Sequence, residues 1–235
     1  MKLEHLQAVN AARRDRKAVI LATDLTDGGD CVITEGLSLG GDLEAAVAAA
    51  FRSGKSGMVE ADGRSLFLNV HLPPPRIVVI GAVHISQPLA VMARLAGFDL
   101  TIIDPRTAFA TPERFSGIDL VADWPEDVLK DRPLDAYTAL VAVTHDPKID
   151  DFPLMQALRT GCFYVGALGS RKTHAKRIER LKEAGIGDIA LSRIAAPIGL
   201  DIGAASPAEI AVAILAQVIQ AFRRRDLRNA GGEAP

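Results

Sequence analysis

Cysteine is scarce in this sequence, and its scarcity excludes two kinds of site. The 235 residues contain two cysteines, Cys31 and Cys162, which lie far apart and form no C-x-x-C pair. Neither a disulfide framework nor a zinc site of cysteine and histidine ligands is therefore predicted. A Walker phosphate loop and a nucleophile elbow are also missing from the sequence, so we assign no catalytic residue and no metal ligand.

The sequence also lacks a large net charge and long apolar runs. The formal net charge is −2 at pH 7, so no basic field is available to attract nucleic acid or an acidic membrane surface. The longest apolar runs, near residues 77–83 and 210–219, are too short or too polar to span a bilayer. The first residues have no apolar core of the signal-peptide type. We expect a cytoplasmic protein with no nucleic-acid partner and no membrane span.

The sequence does contain one stretch with the order strand, tight turn, helix, strand. An apolar run at residues 77–80 stops at Gly81, and a helical pattern follows over Ser86–Leu95. A second β-branched run at residues 100–103 ends at Asp104. This order is typical of the first half of a Rossmann unit, in which the N–H groups of the helix N-terminus face an anion. We predict an α/β fold, a Rossmann-like parallel sheet with helices on both faces.

The turn departs from the dinucleotide-binding pattern G-x-G-x-x-G/A. Residues 81–86 read GAVHIS, so the first glycine, Gly81, and a small last residue, Ser86, are kept. The middle glycine is replaced by Val83, whose β-branched side chain crowds the approach of a pyrophosphate. The turn therefore indicates the fold better than it indicates a bound dinucleotide, and a Rossmann scaffold without one is an alternative.

Residues 1–71 are predicted to form a small α+β N-terminal domain. Three successive prolines follow within residues 72–75, where we place a stiff linker. The Rossmann-like domain is predicted at residues 76–226, and the small, polar residues 227–235 are predicted to be a flexible tail.

Four loops of the predicted sheet share one edge, because ligands of an open parallel sheet bind beyond the carboxyl ends of its strands. These loops are residues 81–86, 104–106, 144–146 and 166–171. We expect them to converge on one binding site in spite of their separation in the sequence.

Single side chains in these loops leave alternatives open. Asp104 can accept the ribose hydroxyls of an adenosine or remain a solvated loop aspartate. Arg106 can meet a 2′-phosphate or pair with Asp104. His84, at the helix start, is either a ligand donor or a turn residue. His145 and Asp146 resemble an acid/base pair, although neighbouring loop residues need not face each other.

The loop at residues 166–171 is the most informative of the four. Its glycines allow backbone amides to approach a phosphate, and a strongly basic helix is predicted from about residue 173 to residue 184. We expect Arg171 and Lys172 to contact an anionic ligand, whereas most of the other basic residues form a solvated face. The predicted cofactor-binding residues are Gly81, Val83, His84, Asp104, Arg106, Thr144, His145, Gly166, Ala167, Leu168, Gly169, Ser170, Arg171, Lys172, Gly199 and Asp201.

Several separated motifs closely resemble the XdhC/CoxI family, and the resemblance covers about residues 76–224. The motifs lie at residues 104–106, 109–115, 166–171, 197–203 and 206–209. Members of this family are accessory proteins of molybdenum hydroxylases such as xanthine dehydrogenase and carbon monoxide dehydrogenase. The resemblance implies a Rossmann C-terminal domain. It also implies a protein that binds molybdenum cofactor (molybdopterin), protects it during sulfuration by a cysteine desulfurase and delivers it to an apo-enzyme.

Two positions depart from the family pattern. Val83 stands where family members often have glycine, and residues 40–42 read Gly-Gly-Asp where their N-terminal domains commonly have Gly-Gly-Cys. If that cysteine takes part in cofactor or sulfur handling, Asp42 does not replace it.

We expect a non-catalytic maturation factor whose partners are an apo molybdenum hydroxylase and a cysteine desulfurase, with a homodimer left open. One alternative is an NAD(P)-dependent oxidoreductase that uses the Rossmann cleft. Another is a partner-binding module with an empty cleft.

Overall fold

The structure is a computed structural model in which residues 2–224 are described. The predicted tail at residues 227–235 lies outside this range. The chain divides into two compact units, one containing the residues up to Pro73 and the other comprising Pro74–Phe222. Among the described residues there is no helix with both the length and the apolar character that crossing a bilayer requires.

The first unit is a four-stranded antiparallel sheet with two helices. Its elements are α1 (Leu3–Arg14), β1 (Val19–Asp24), β2 (Asp30–Thr34), α2 (Gly41–Ser53), β3 (Gly57–Ala61) and β4 (Arg64–His71). The strand order is β2-β1-β4-β3, so the apolar strand β1 is central and pairs on both sides. Val9 of α1 packs against Val19 and Leu21 of β1. The α+β character expected for the N-terminal part of the chain is confirmed.

The second unit is a six-stranded parallel sheet covered by helices. Its elements are β5 (Arg76–Ile80), α3 (Ser86–Leu95), β6 (Asp99–Ile103), β7 (Asp119–Val121), α4 (Pro125–Asp131), β8 (Thr138–Ala142), α5 (Pro147–Arg159), β9 (Tyr164–Ala167), α6 (Arg171–Glu183), α7 (Asp188–Leu191), β10 (Ile194–Ala195) and α8 (Pro207–Arg224). The strand order is β7-β6-β5-β8-β9-β10, and every neighbouring pair is parallel. This is the order of dinucleotide-binding Rossmann domains, so the predicted fold class is confirmed.

Helices cover both faces of this sheet, so successive side chains of β5 point into two different hydrophobic cores. Val79 belongs to the core that contains Leu89 of α3 and Ile214 of α8. Ile80 belongs to the other core, which contains Leu154 of α5 and Leu181 of α6. A strand that is buried on both faces reads as a continuous apolar run, which explains the pattern in the sequence.

Two boundaries near the basic helix differ from the prediction. Gly166 and Ala167, predicted in the loop, belong to β9, because they continue the parallel ladder with β8. Helix α6 begins at Arg171, since the side chain of Ser170 accepts a hydrogen bond of 3.2 Å from the backbone N–H of Thr173 and caps the helix. The loop between β9 and α6 is therefore only residues 168–170.

Candidate functional site

The candidate site lies where the strand order reverses, between the carboxyl ends of β5 and β8. Gly81 directly follows β5 and has a φ of +122°, which favours glycine. A Cβ atom at this position would lie 2.8 Å from Cγ2 of Thr144, which follows β8. The two turns are therefore packed against each other. Open α/β sheets bind ligands at this point of strand reversal.

Asp104, at the end of β6, holds the turn that follows β5. Its fully buried carboxylate accepts a hydrogen bond of 2.7 Å from the backbone N–H of Ala82. The guanidinium group of Arg106 donates two more bonds to the same carboxylate, of 2.9 Å and 2.7 Å, and the backbone N–H of Arg106 adds another of 2.9 Å. Burial raises the pKa of Asp104, but these hydrogen bonds outweigh it and hold the pKa below its ordinary value. Of the two roles predicted for Arg106, the structure shows the pairing with Asp104.

A second arginine supports the same turn from the motif at residues 109–115. Nη1 of Arg114 donates to the backbone carbonyl oxygens of Ala82, at 3.1 Å, and Phe109, at 2.7 Å. The guanidinium carbon of Arg106 lies 4.7 Å from the ring centroid of Phe109, within the range of a cation–π contact. The motif that resembles the family therefore stabilises the turn after β5.

Val83 and His84, the two residues in the middle of this turn, have different surroundings. Val83 is half-buried and packs against the core on one face of the sheet. His84 is exposed, so its side chain is accessible to a ligand at the start of α3. A contact of His84 with a cofactor stays a prediction.

The turn after β8 is built around the buried carboxylate of Asp150. The hydroxyl of Thr144 donates a hydrogen bond of 2.6 Å to one carboxylate oxygen, and the backbone N–H of His145 donates one of 3.1 Å to the other. These bonds hold His145 at a φ of +68°, in the left-handed region that most residues avoid. The carboxylate of Asp146 accepts a hydrogen bond from the backbone N–H of Lys148 and caps α5. Asp146 therefore has a capping role, and the resemblance of His145 and Asp146 to an acid/base pair does not explain this loop.

Asp150 is an uncommon ionisable group because it is almost completely buried. Burial raises its pKa from 3.8 to about 6, against the opposing effects of the Thr144 hydroxyl and the Arg177 guanidinium. One carboxylate oxygen lies 4.0 Å from Nη2 of Arg177 on α6. The turn after β8 is thereby connected to the first half of α6.

Arg177 is buried, so it is an exception to the expectation that most of the basic residues after Lys172 form a solvated face. Its exposed fraction is 2%, and its Nη2 atom donates a hydrogen bond of 3.0 Å to the backbone carbonyl oxygen of Leu168. Its Nε and Nη1 atoms are also buried, and no acceptor is present for either among residues 2–224. The sequence could have indicated this burial, because Arg177 precedes the apolar Leu181 by four residues and therefore lies on the same face of the helix.

The glycines of the predicted site have different roles. Gly169 has a φ of +136°, and a Cβ atom there would lie 3.2 Å from the Thr173 side chain and 3.7 Å from Nδ1 of His145. The loop at residues 168–170 is thus brought close to the turn after β8. At Gly166, by contrast, a Cβ atom would lie 2.7 Å from the side chain of Ile198. Close packing within the unit therefore accounts for Gly166.

Gly199 and Asp201 lie in the connection between β10 and α8. The backbone N–H of Gly199 donates a hydrogen bond of 2.8 Å to the side chain of Gln217, and a Cβ atom at Gly199 would lie 3.1 Å from Cβ of Ala213. Packing against α8 explains this glycine. Asp201 is exposed, and its predicted contact with a cofactor is untested.

The residues at the carboxyl edge form two groups with different chemistry. The turn after β5 is tied to Asp104, Arg106 and Arg114, which are already engaged with one another or with the backbone. The loop at residues 168–170 and the start of α6 combine backbone amides with the cationic side chains of Arg171 and Lys172, which are both exposed. An anionic, phosphate-bearing pterin fits the second group, where backbone amides and exposed positive charge lie together.

Sequence comparison finds a family and relatives for this chain. The sequence model described as the XdhC Rossmann domain matches residues 77–218. A probable xanthine dehydrogenase subunit of Bacillus subtilis (strain 168) is 33% identical over 161 residues, which are 68% of this chain and 47% of that protein. The molybdenum cofactor insertion chaperone PaoD of Escherichia coli (strain K12) is 29% identical over 147 residues, which are 62% of this chain and 40% of that protein. The chain therefore matches less than half the length of these relatives.

Structure comparison gives a related fold. A crystal structure of a xanthine dehydrogenase from Bacillus halodurans superposes with a TM-score of 0.61 and 24% identity, covering 99% of this chain and 66% of that one. At this identity the comparison supports a shared fold.

Proposed function

This chain belongs to the XdhC family, and from that membership we propose that it binds molybdenum cofactor and assists its maturation and its insertion into a molybdenum hydroxylase. The names of two relatives support this proposal, one as a molybdenum cofactor insertion chaperone and the other as a probable xanthine dehydrogenase subunit. The observation that carries the proposal is the convergence of backbone amides and positive charge at the start of α6.

The residues that would hold the cofactor lie at the carboxyl edge of the sheet. The backbone amides of Gly169 and Ser170 would donate to a phosphate oxygen, and the guanidinium group of Arg171 would contact it through two parallel hydrogen bonds. The exposed His84 would face the ligand from the start of α3. In the recipient enzyme, the cofactor supplies the molybdenum centre. In this chain, these residues would bind and orient it.

An NAD(P)-dependent oxidoreductase is the less supported alternative. The strand order favours a dinucleotide, but Val83 replaces the fingerprint glycine that lets the backbone approach a pyrophosphate. The Asp104 carboxylate, which would accept the ribose hydroxyls, already accepts four hydrogen bonds from Ala82 and Arg106. A dinucleotide would have to displace some of these bonds.

The proposed partner is the apo form of a molybdenum hydroxylase, because a carried cofactor has to be delivered. Sulfuration by a cysteine desulfurase and a homodimeric state stay predictions. Asp42 lies in the first turn of α2, where its carboxylate cannot carry sulfur as a cysteine would. We therefore propose that the N-terminal unit takes no part in sulfur transfer through this position.

Native mass spectrometry of the freshly isolated protein tests the proposal. The protein should be isolated from cells that synthesise molybdenum cofactor, and a bound mass equal to that of a molybdopterin species is expected. A bound nicotinamide nucleotide would favour the oxidoreductase instead. A chain without a small ligand that nevertheless binds an apo-hydroxylase would favour the partner-binding module.

A further inference from the structure

A small cavity lies between the first halves of α5 and α6, at the edge of the candidate site. Its volume is about 240 Å³. The charged residues that line it are Asp150, Asp151, Lys172, Lys176, Arg177 and Arg180. Arg171, which the proposed function assigns to the cofactor, does not line it.

The size of the cavity suits a small oxyanion. At about 30 Å³ per molecule, it has room for roughly eight waters. Sites for drug-sized ligands are larger, typically about 300–1,000 Å³. The cavity can therefore hold a phosphate group with part of its hydration, whereas a complete pterin cofactor would not fit inside it.

Arg177 provides the strongest reason to expect an anion there. Its side chain is 3% exposed and lines the cavity, and its Nε and Nη1 atoms find no acceptor within the described part of the chain. Buried N–H groups of a guanidinium ion are costly to leave unpaired, so they are normally paired. A phosphate group has several acceptor oxygens, and two of them match the fork of an arginine.

The remaining charges around the cavity leave an excess of positive charge. Arg180 is paired with Asp151 through two hydrogen bonds, of 2.6 Å and 3.0 Å. Arg177 is opposed by Asp150 at 4.0 Å. Among the described residues that line the cavity, the cations of Lys172 and Lys176 then have no matching carboxylate, and a dianion would balance them.

The two helices add to this field. Each has 13 residues, and each begins beside the cavity, at Pro147 for α5 and Arg171 for α6. The N-terminus of an α-helix carries a partial positive charge and favours a nearby anion.

From these observations we propose that the cavity is a phosphate-binding site. The guanidinium group of Arg177, in which Nε and Nη1 lack acceptors among the described residues, attracts the phosphate group from inside, and Lys172 and Lys176 hold it from the solvent side. The group is either free phosphate or the terminal phosphate of an ester. The proposal does not depend on the identity of the cofactor, because these two Arg177 atoms lack acceptors among residues 2–224 whichever ligand the rest of the site takes.

Calorimetric titration of the full chain with inorganic phosphate tests the proposal. Saturable binding is expected. The double variant Lys172→Ala/Lys176→Ala should weaken it by about tenfold to a hundredfold, because each lysine contributes a charge-assisted contact. Both side chains are exposed, so the variant should remain folded. Lys182→Ala is the matched control, since this lysine is on α6 but outside the cavity and pairs with Asp188. It should leave the affinity unchanged.

Two further variants separate this site from its surroundings. Arg177→Met should abolish phosphate binding, provided that circular dichroism shows a folded protein. Arg171→Ala should leave phosphate binding unchanged even if it weakens the binding of the cofactor. Failure of the proposed function and failure of this inference are therefore distinguishable. No saturable binding by the parent, or equal binding by the parent and the double lysine variant, would overturn the proposal.

Methyl phosphate, titrated in the same way, identifies the source of the group. Affinity similar to that of inorganic phosphate supports a site for a phosphate ester. A preference of about tenfold or more for inorganic phosphate, which is about 1.4 kcal/mol, supports a site for the free ion.

Discussion

Oδ2 of Asp104 accepts a hydrogen bond of 2.7 Å from the backbone N–H of Ala82. This bond joins the end of β6 to the turn after β5, and the guanidinium group of Arg106 covers the other side of the same carboxylate. Many Rossmann domains use an acidic residue at this place to bind a ribose. Here the acidic residue fixes the turn at the point of strand reversal.

Asp104→Asn should therefore destabilise the second unit. The asparagine amide would place a donor opposite donors of Ala82 and Arg106, and the Arg106 cation would lose its partner. We expect the free energy of unfolding to fall by about 2–4 kcal/mol, measured by urea denaturation. Asp119→Asn is the control, because Asp119 is half-exposed and pairs with Arg132 at the surface. Asp119→Asn should lower the free energy of unfolding by about 1 kcal/mol or less. An equal decrease in both variants would contradict the role given to Asp104.

NADH and NADPH should bind weakly or not at all. Val83 occupies the place of the fingerprint glycine, and the hydrogen bonds of Asp104 would compete with a ribose. Calorimetric titration with each nucleotide checks this prediction. Tight binding that is lost in Asp104→Ala or Arg106→Ala would show that the turn accommodates a dinucleotide, and the oxidoreductase alternative would then be preferred.

Ile214→Asp should unfold the second unit. Ile214 is fully buried in the core between α8 and the sheet, where an unpaired carboxylate has no compensating partner. Val212→Asp is a matched control on the same helix, because Val212 is 46% exposed. Circular dichroism and size-exclusion chromatography should show a folded Val212→Asp protein and an unfolded Ile214→Asp protein. If Ile214→Asp is a folded monomer and the parent an oligomer, this helix face serves assembly instead.

The buried Asp150 makes stability depend on pH in a defined direction. Its pKa is raised from 3.8 to about 6, so the protonated form is favoured in the folded state. The stability that protonation contributes is complete below about pH 4 and is lost as the pH rises through about 6. Arg177, which faces Asp150 at 4.0 Å, keeps its charge throughout this range.

Asp150→Asn removes this titration. The free energy of unfolding of the variant, relative to the parent, should rise by up to about 3 kcal/mol between pH 4 and pH 7, because about two pKa units are involved. The variant also loses hydrogen bonds to Thr144 and His145, and this loss lowers its free energy of unfolding by the same amount at every pH. Urea denaturation at several pH values measures the difference, and a difference that is independent of pH would contradict the raised pKa.

Patterns within short stretches predicted the sheet and its edge. The apolar run of β5, the small residues of the turn and the helix Ser86–Leu95 follow from strand and helix periodicity and from glycine chemistry. The parallel topology then predicts that the loops after β5, β6, β8 and β9 share an edge, which the structure confirms through contacts such as that of Gly81 with Thr144.

Contacts between distant residues were not predictable in the same way. Gly166 reads as a loop glycine, but Ile198 from another segment explains it. The bond of Asp104 to the Ala82 amide depends on the exact path of the turn, and the sequence does not contain that information. The burial of Arg177 was not predicted, because it lies among the other basic residues of α6 and a run of charges usually indicates a solvated face.

The affinity for molybdenum cofactor tests the central claim most directly. It should be measured by fluorescence quenching for the parent, Arg171→Ala, Arg171→Lys and Lys182→Ala, with folding checked by circular dichroism. A charge-assisted contact contributes roughly 1.5–3 kcal/mol, so Arg171→Ala should weaken binding by about tenfold to a hundredfold. Arg171→Lys should recover part of the loss, since lysine cannot form two parallel hydrogen bonds, and Lys182→Ala should bind like the parent. Equal binding by all four folded proteins, or no binding by the parent, would contradict the account.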